Sequence, residues 1–183
     1  MLKNVLVYLG ATLPADSSYT DAVRRLGEEL ARRRMPLVFG GSREGTMTIL
    51  ADAVLHNGGT AIGVFTEALP PKLLYQGLTE TRVTANLVER KNTMFDLADI
   101  IIAMPGSFGT WDELFDALER LKIEKIHHRP VKPVALLNLN GFYDGIQELL
   151  RRSIQEGYTT KSCADLLFIA ADVPELLAWL DRA

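Results

Sequence analysis

The chain has 183 residues, 48% of them hydrophobic and 23% charged, with a formal net charge of −3. That balance gives no general attraction to nucleic acid or to an acidic membrane surface, and no apolar stretch approaches the roughly 20 residues of a bilayer-spanning helix. One cysteine, Cys163, excludes an internal disulfide and suits a reducing cytoplasm, and the length suits a single domain over residues 1–183.

Apolar runs of strand length alternate with helical patterns along the chain. The first, Val5–Leu9, meets Gly10 too early to be the core of a secretory signal. A helix is expected near Tyr19–Arg34, then a strand at Leu37–Phe39, a helix near Thr46–Asn57 closed by Gly58-Gly59, and a strand at Ala61–Phe65. An irregular stretch, Thr66 to Thr81, carries Pro70-Pro71 and Gly77; following a strand, it suits either a flap over a site or a plain surface loop. Arg82–Thr84 is a weaker strand candidate. Beyond it come a helix over Leu87–Ala98, a strand at Ile100–Met104 and a helix over Thr110–Lys122. The pattern ends with a strand at Val134–Leu137, a helix over Phe142–Glu156, a strand at Leu166–Ile169 and a helix over Pro174–Leu180. Strands alternating with helices imply an α/β fold: a Rossmann-like, doubly wound parallel sheet with helices on both faces.

Three glycine-bearing turns follow apolar strands: Gly10-Ala11-Thr12, Gly40-Gly41-Ser42 continuing to Glu44-Gly45-Thr46, and Gly106-Ser107-Phe108-Gly109-Thr110. Each joins a strand's carboxyl end to a helix, so all three belong on one edge of the sheet. Backbone N–H groups at a helix start converge on anions, and three such turns together favour a phosphate-bearing ligand. None is a Walker A sequence, and no G-x-G-x-x-G follows the first strand, which disfavours nucleoside triphosphatases and dinucleotide enzymes.

Glu113 lies one turn into the helix after the third turn, where an anion needs no acid. Thr110-x-x-Glu113 fits a capping box that satisfies orphan N–H groups. It equally fits a carboxylate beside a phosphate site, able to orient a water or a ribose hydroxyl. Asp112 is the neighbouring alternative. Arg90-Lys91, taken alone, is a pair of solvated cations on a surface helix. His56, His127 and His128 have no metal-ligand spacing with cysteine or acidic partners, so neither a metal nor a cofactor is expected. Ser42 and Ser107 lack a G-x-S-x-G setting.

Taken together, these residues resemble the Lonely Guy family of cytokinin-activating phosphoribohydrolases. The family pattern P-G-G-x-G-T-x-x-E is matched by Pro105-Gly106-Ser107-Phe108-Gly109-Thr110-Trp111-Asp112-Glu113 except at Ser107, and its Arg-Lys-x-x-Met by Arg90, Lys91 and Met94. Gly40-Gly41, Gly45, Met47 and Ala51-Asp52-Ala53 fit the second-strand loop and its helix; Gly77-Leu78-Thr79-Glu80 and Leu136-Leu137-Asn138-x-x-Gly141-Phe142-Tyr143-Asp144 fit bacterial members. The resemblance covers nearly the whole chain.

It implies a Rossmann-like homodimer that cleaves the N-glycosidic bond of an adenosine 5′-monophosphate, often N6-prenylated, to the free base and ribose 5-phosphate. Glu113 and Arg90 are then the catalytic pair, with Lys91 supporting Arg90. Gly106, Ser107, Phe108, Gly109 and Thr110 hold the 5′-phosphate, and Asp112, Gly41 and Ser42 border the same ligand. Members have often been labelled lysine decarboxylases, but no lysine here sits in a recognisable pyridoxal-phosphate setting. The chain departs from the family at Ser107, Lys72, Val88, Arg120 and Lys122, mostly around the expected base pocket or flap. Two rivals share the fold: a non-catalytic molybdenum-cofactor carrier and a nucleotide-binding regulator.

Overall fold

A computed structural model describes residues 3–183. Its frame is one seven-stranded sheet in the order β4-β3-β2-β1-β5-β6-β7. The strands are β1 (Val5–Tyr8), β2 (Leu37–Phe39), β3 (Ala61–Thr66), β4 (Glu80–Thr84), β5 (Ile100–Ala103), β6 (Val134–Leu137) and β7 (Leu167–Ala170), and every pairing is parallel. β1 is central, with Val5 opposite both Leu37 and Ile100. The inner strands are near-continuous Val, Ile and Leu because helices cover both faces and no position alternates into water. β4, on the edge, is mostly exposed and carries Glu80 and Arg82, charges that discourage further strand pairing.

Two cores flank the sheet. On one face Val5 and Val7 meet α1 (Ser17–Arg32), α2 (Gly45–His56) and α7 (Val173–Leu180). On the other, Leu6 and Tyr8 meet α3 (Leu87–Leu97) and α4 (Phe108–Ile126), and α5 (Asp144–Gln155) adds Ile146 and Leu150 at the margin. This is the doubly wound architecture expected from the alternating pattern. β5 follows β4 in the chain but pairs beyond β1, so the winding direction reverses between β1 and β5, where such folds bind ligands.

Differences from the sequence pattern have local causes. α4 begins at Phe108, two residues before Thr110, because extended Ser107 takes the N-cap, and it continues to Ile126, past the expected Lys122. α5 starts at Asp144 rather than Phe142, since Asn140 and Gly141 (φ 54° and 72°) turn the chain through the left-handed region first. A one-turn helix, α6 (Lys161–Ala164), capped by Thr160, adds an element the pattern missed. The 66–81 connection contains a 3-10 turn at Pro71–Leu73 and runs down the α2 side of the sheet as a strap. Its end is pinned at the foot of β3, where Thr79 N–H donates to Ala61 O. Among the described residues, no helix is long and apolar enough to cross a membrane.

Candidate active site

The β1, β2 and β5 turns meet at the carboxyl edge of the sheet. A Cβ on Gly10 would lie 3.4 Å from Gly106 Cα, so the first and third turns touch through bare backbone. Thr46 Oγ1, from α2, donates to Gly10 O at 2.6 Å. Tyr143 Oη, at the start of α5, donates to Met104 O at 2.9 Å and holds the end of β5. The turn that opens α4 is therefore braced from three elements. Gly106 is required by close approach, since a Cβ there would stand 2.2 Å from Thr110 Oγ1.

Glu113 is not the second half of a capping box. With the N-cap at Ser107, Thr110 falls inside the first turn and Glu113 in the second, and no side chain caps the helix start. The carboxylate faces the cleft between the glycine turns, only 14% exposed. Burial pushes its pKa up to about 7, with Asp112 adding to the rise and Arg90 and Lys91 opposing it. A carboxylate with that value exchanges a proton near neutrality, the range suited to general acid–base work.

Arg90, on α3, reaches across to the same cleft. Nε donates to Val64 O and Nη2 to Gly40 O, both at 2.9 Å, while Nη1 lies 3.9 Å from Glu113 Oε1. Two backbone carbonyls thus fix the guanidinium plane and leave one edge toward the acid. At 12% exposed, its pKa is lowered by burial and raised by Glu113. The pair is held near but not in direct hydrogen-bond contact, so both groups keep polar atoms for a ligand.

The cleft beside this pair has a volume of about 130 Å³, with Gly10, Gly40, Arg90, Ser107, Thr110 and Glu113 among its walls. An apolar hollow of about 210 Å³ adjoins it, sharing Gly10, Ala11 and Ser107 and walled by Leu13, Tyr19 and Phe142. Phe142 meets the Tyr19 and Tyr143 rings edge-on, at 5.9 and 4.8 Å. The combination of backbone amides, one acid, one guanidinium and an adjoining apolar hollow suits a phosphorylated ligand with a flat or apolar part.

Arg90, Glu113, Gly106, Ser107, Gly109 and Thr110 all border the cleft or its hollow. Other expected residues stand apart. Lys91 points along α4, 3.0 Å from Asp112 and 3.6 Å from Asp116, so Lys91 and Asp112 engage each other. Phe108 projects outward, 81% exposed, against the edge of Trp111. Neither aromatic ring fills the glycine cradle. Gly41 packs on Gly63, and buried Ser42 has no hydrogen-bond partner for its hydroxyl. Of the departures from the family pattern, Ser107 alone lines the cleft. Lys72 lies on the strap, Val88 is exposed, Lys122 pairs with Glu119, and Arg120 joins Asp116 and Asn92 between α4 and α3. Lys72 thus lies on the strap, the expected flap, whereas Val88, Arg120 and Lys122 lie on the α3–α4 surface of this chain.

Several contributors carried no signal of their own in the sequence. The Gly40 and Val64 carbonyls act through their backbone, and Tyr143 stood in the sequence only as part of the Gly141-Phe142-Tyr143-Asp144 match, with no role of its own. Tyr8, near Glu113 on the β1 side, has a hydroxyl pKa raised mainly by burial and then by Glu113 and Asp116. Among the described residues no cluster of three His, Cys, Asp or Glu side chains could hold a metal ion. Among the described residues, no lysine lines the cleft.

A protein-family model described as "Possible lysine decarboxylase" matches residues 47–180. The cytokinin riboside 5′-monophosphate phosphoribohydrolase of Rhodococcoides fascians is 33% identical over 96% of this chain and 88% of its own. The Arabidopsis thaliana cytokinin riboside 5′-monophosphate phosphoribohydrolase LOG7 is 32% identical over 98% of this chain and 82% of its own. Among solved structures, the molybdenum cofactor binding protein of Rippkaea orientalis superposes with a TM-score of 0.72 at 21% identity, covering 100% of this chain and 98% of its own. The molybdenum cofactor carrier protein of Chlamydomonas reinhardtii gives 0.71 at 23% identity, covering 98% of this chain and 97% of its own. At those identities the structures share the fold. The family match and the near full-length relatives above 30% identity are what decide membership: the chain belongs to the Lonely Guy (LOG) family, whose model carries the lysine decarboxylase description.

Proposed function

We propose that the protein hydrolyses the N-glycosidic bond of an adenosine 5′-monophosphate, with or without an N6 substituent, releasing the base and ribose 5-phosphate. The observation that carries this is the Arg90–Glu113 pair, held 3.9 Å apart beside the glycine turn that opens α4. The relatives' names supply the substrate class. The absence of a lysine from the cleft argues against the decarboxylase label.

The chemistry follows from the charges. Phosphate bound by the backbone amides of Gly106–Thr110 anchors the 5′ end, and that remote contact orients the ribose. As the C1′–N bond breaks, positive charge grows on the sugar. The Glu113 carboxylate stabilises it and directs a water to C1′, taking the proton that water releases. Arg90 balances negative charge on the departing base or the phosphate. The water oxygen ends on C1′, and the base leaves with the electron pair of the broken bond and gains a proton.

The working unit in this proposal is a cytoplasmic homodimer. Exposed Leu87 and Val88 on α3, with Phe108 and Phe115 on α4, supply apolar surface for a second copy, which sedimentation equilibrium would detect as twice the chain mass. The activity test is incubation with AMP and N6-isopentenyl-AMP, with the free base followed by chromatography. Base released by the wild type and lost on Glu113→Gln supports the proposal. If neither nucleotide is cleaved and a pterin phosphate co-purifies, the protein is a carrier instead.

A further inference from the structure

The turn that holds Arg90 is itself held from outside. Arg90 grips the carbonyls of Gly40 and Val64, and each of these residues adjoins a glycine, Gly41 and Gly63, on which the 66–81 strap rests. Tyr75 N–H donates to Gly41 O at 2.9 Å, and Arg43 N–H donates to Leu73 O at 2.6 Å. Ser42 and Leu74 form an isolated antiparallel bridge between them. Leu78 lies over Gly63, where a Cβ would meet its Cδ1 at 2.3 Å and Gly41 Cα at 2.9 Å. Turn, strand and strap are therefore stacked without slack behind the arginine's acceptors.

The strap has only one short 3-10 turn of its own structure, so its position depends on tethers. The side-chain tether at its middle is Tyr75, whose hydroxyl donates to Asp52 Oδ1 on α2 while its ring packs beside the α1–α2 core. We propose that Tyr75 and Asp52 are positioning residues of the glycosidase: their hydrogen bond clamps the strap onto the β2–α2 turn and so fixes the Arg90 guanidinium against Glu113. This rests on the catalytic role given to Arg90 and Glu113 above. The Tyr75 hydroxyl is suited to the task because burial, followed by the Asp52 carboxylate, pushes its pKa up to about 12, so it stays a donor throughout the working range.

The test compares Tyr75→Phe, Asp52→Ala and Asp52→Asn with the wild type. Tyr75→Phe and Asp52→Ala should each lower kcat roughly tenfold, with KM for AMP changed less than about threefold, since the phosphate cradle is untouched. Asp52→Asn keeps an acceptor oxygen and should stay within about threefold of the wild type. The acid limb of the kcat profile reports Glu113, which faces Arg90 and Lys91 from α3, Asp112 from its own helix and Tyr8 from β1. With Arg90 displaced, that limb should move to higher pH in Tyr75→Phe but not in Asp52→Asn.

A readout independent of turnover is proton exchange at Arg90 Nε–H and at the Arg43 and Tyr75 amides, which should quicken about tenfold in Tyr75→Phe. Unchanged Arg90 Nε–H exchange in that variant overturns the clamp whatever the activity. So does a wild-type kcat with an unmoved acid limb, or an Asp52→Asn variant as impaired as Tyr75→Phe. A wild-type protein that releases no base defeats the glycosidase proposal alone, and the exchange measurements still decide the clamp.

Discussion

Arg90 occupies the space that a side chain on residue 40 would need. A Cβ on Gly40 would stand 1.9 Å from Arg90 Nη2 and 3.0 Å from Cζ, while the carbonyl of the same residue accepts that nitrogen's hydrogen bond. Glycine is needed here for close approach, because its φ lies outside the left-handed region. Gly40→Ala should therefore retain the fold yet push the guanidinium away from Glu113. A displacement near 1 Å at a catalytic pair costs about 10²-fold. The expected result is a kcat lowered by about that factor with circular dichroism unchanged, and a variant with wild-type kcat would show that Arg90 need not stand where it does.

Glu113 links activity and stability through one proton. Its folded pKa of about 7 lies above the ordinary 4.5, so between those values the folded state binds more protons than the unfolded state. Stability from this group is full below about pH 4.5 and is lost as pH rises through about 7, a change on the order of 3 kcal/mol. Glu113→Gln removes that dependence. Its Tm should gain on the wild type's from pH 5 to about pH 7 and level off above that, even though kcat falls by roughly 10²-fold or more. In the wild type kcat should rise with pH and reach half its maximum near 7, since the proposed mechanism uses the ionised carboxylate. A falling profile over the same range would make Glu113 a proton donor instead.

The cradle can be tested separately from the fold. A Cβ on Gly109 meets nothing within 4 Å, whereas one on Gly106 collides with Thr110. Gly109→Ala should keep the wild-type Tm, and any rise in KM for AMP then reports crowding of the bound phosphate. About tenfold is expected if the amides of the helix start carry that contact. Gly106→Ala should lower Tm as well. Ser107 is exposed and its side chain makes no capping hydrogen bond, so Ser107→Gly, which restores the family pattern, should leave Tm within about 1 °C and change KM less than threefold. If Gly109→Ala binds AMP unchanged, the phosphate lies elsewhere.

The sheet was legible because its inner strands are buried on both faces and so are written as unbroken Val, Ile and Leu runs such as Ile100–Ala103. Strand order was less so: that β5 pairs with β1 rather than β4 is fixed by long-range packing, which no local pattern encodes. Glu113 and the glycine turn stood out through spacing. The capping-box alternative for Glu113 fails because Ser107 takes the N-cap, a shift of a few residues at a helix end that sequence patterns resolve poorly. The arginine's anchors were invisible for a different reason. A carbonyl of Gly40 or Val64 has no side-chain signature, and the strap that braces it is irregular chain.

Lys91 separates inherited from observed roles. The family pattern pairs it with Arg90, but its ammonium sits between Asp112 and Asp116 at 3.0 and 3.6 Å, and it acts on Glu113 only through its charge. Asp112 is 64% exposed, and ion pairs to so exposed a carboxylate contribute at most about 1 kcal/mol. Lys91→Ala should thus cost little stability. Removing a positive charge that holds the Glu113 pKa down should shift the acid limb of kcat to higher pH, giving a loss of several-fold at pH 6 that shrinks by pH 8.5. Lys91→Arg keeps the charge and should keep the profile. An equal loss at both pH values, approaching that of Arg90→Ala, would instead place the ammonium on the substrate.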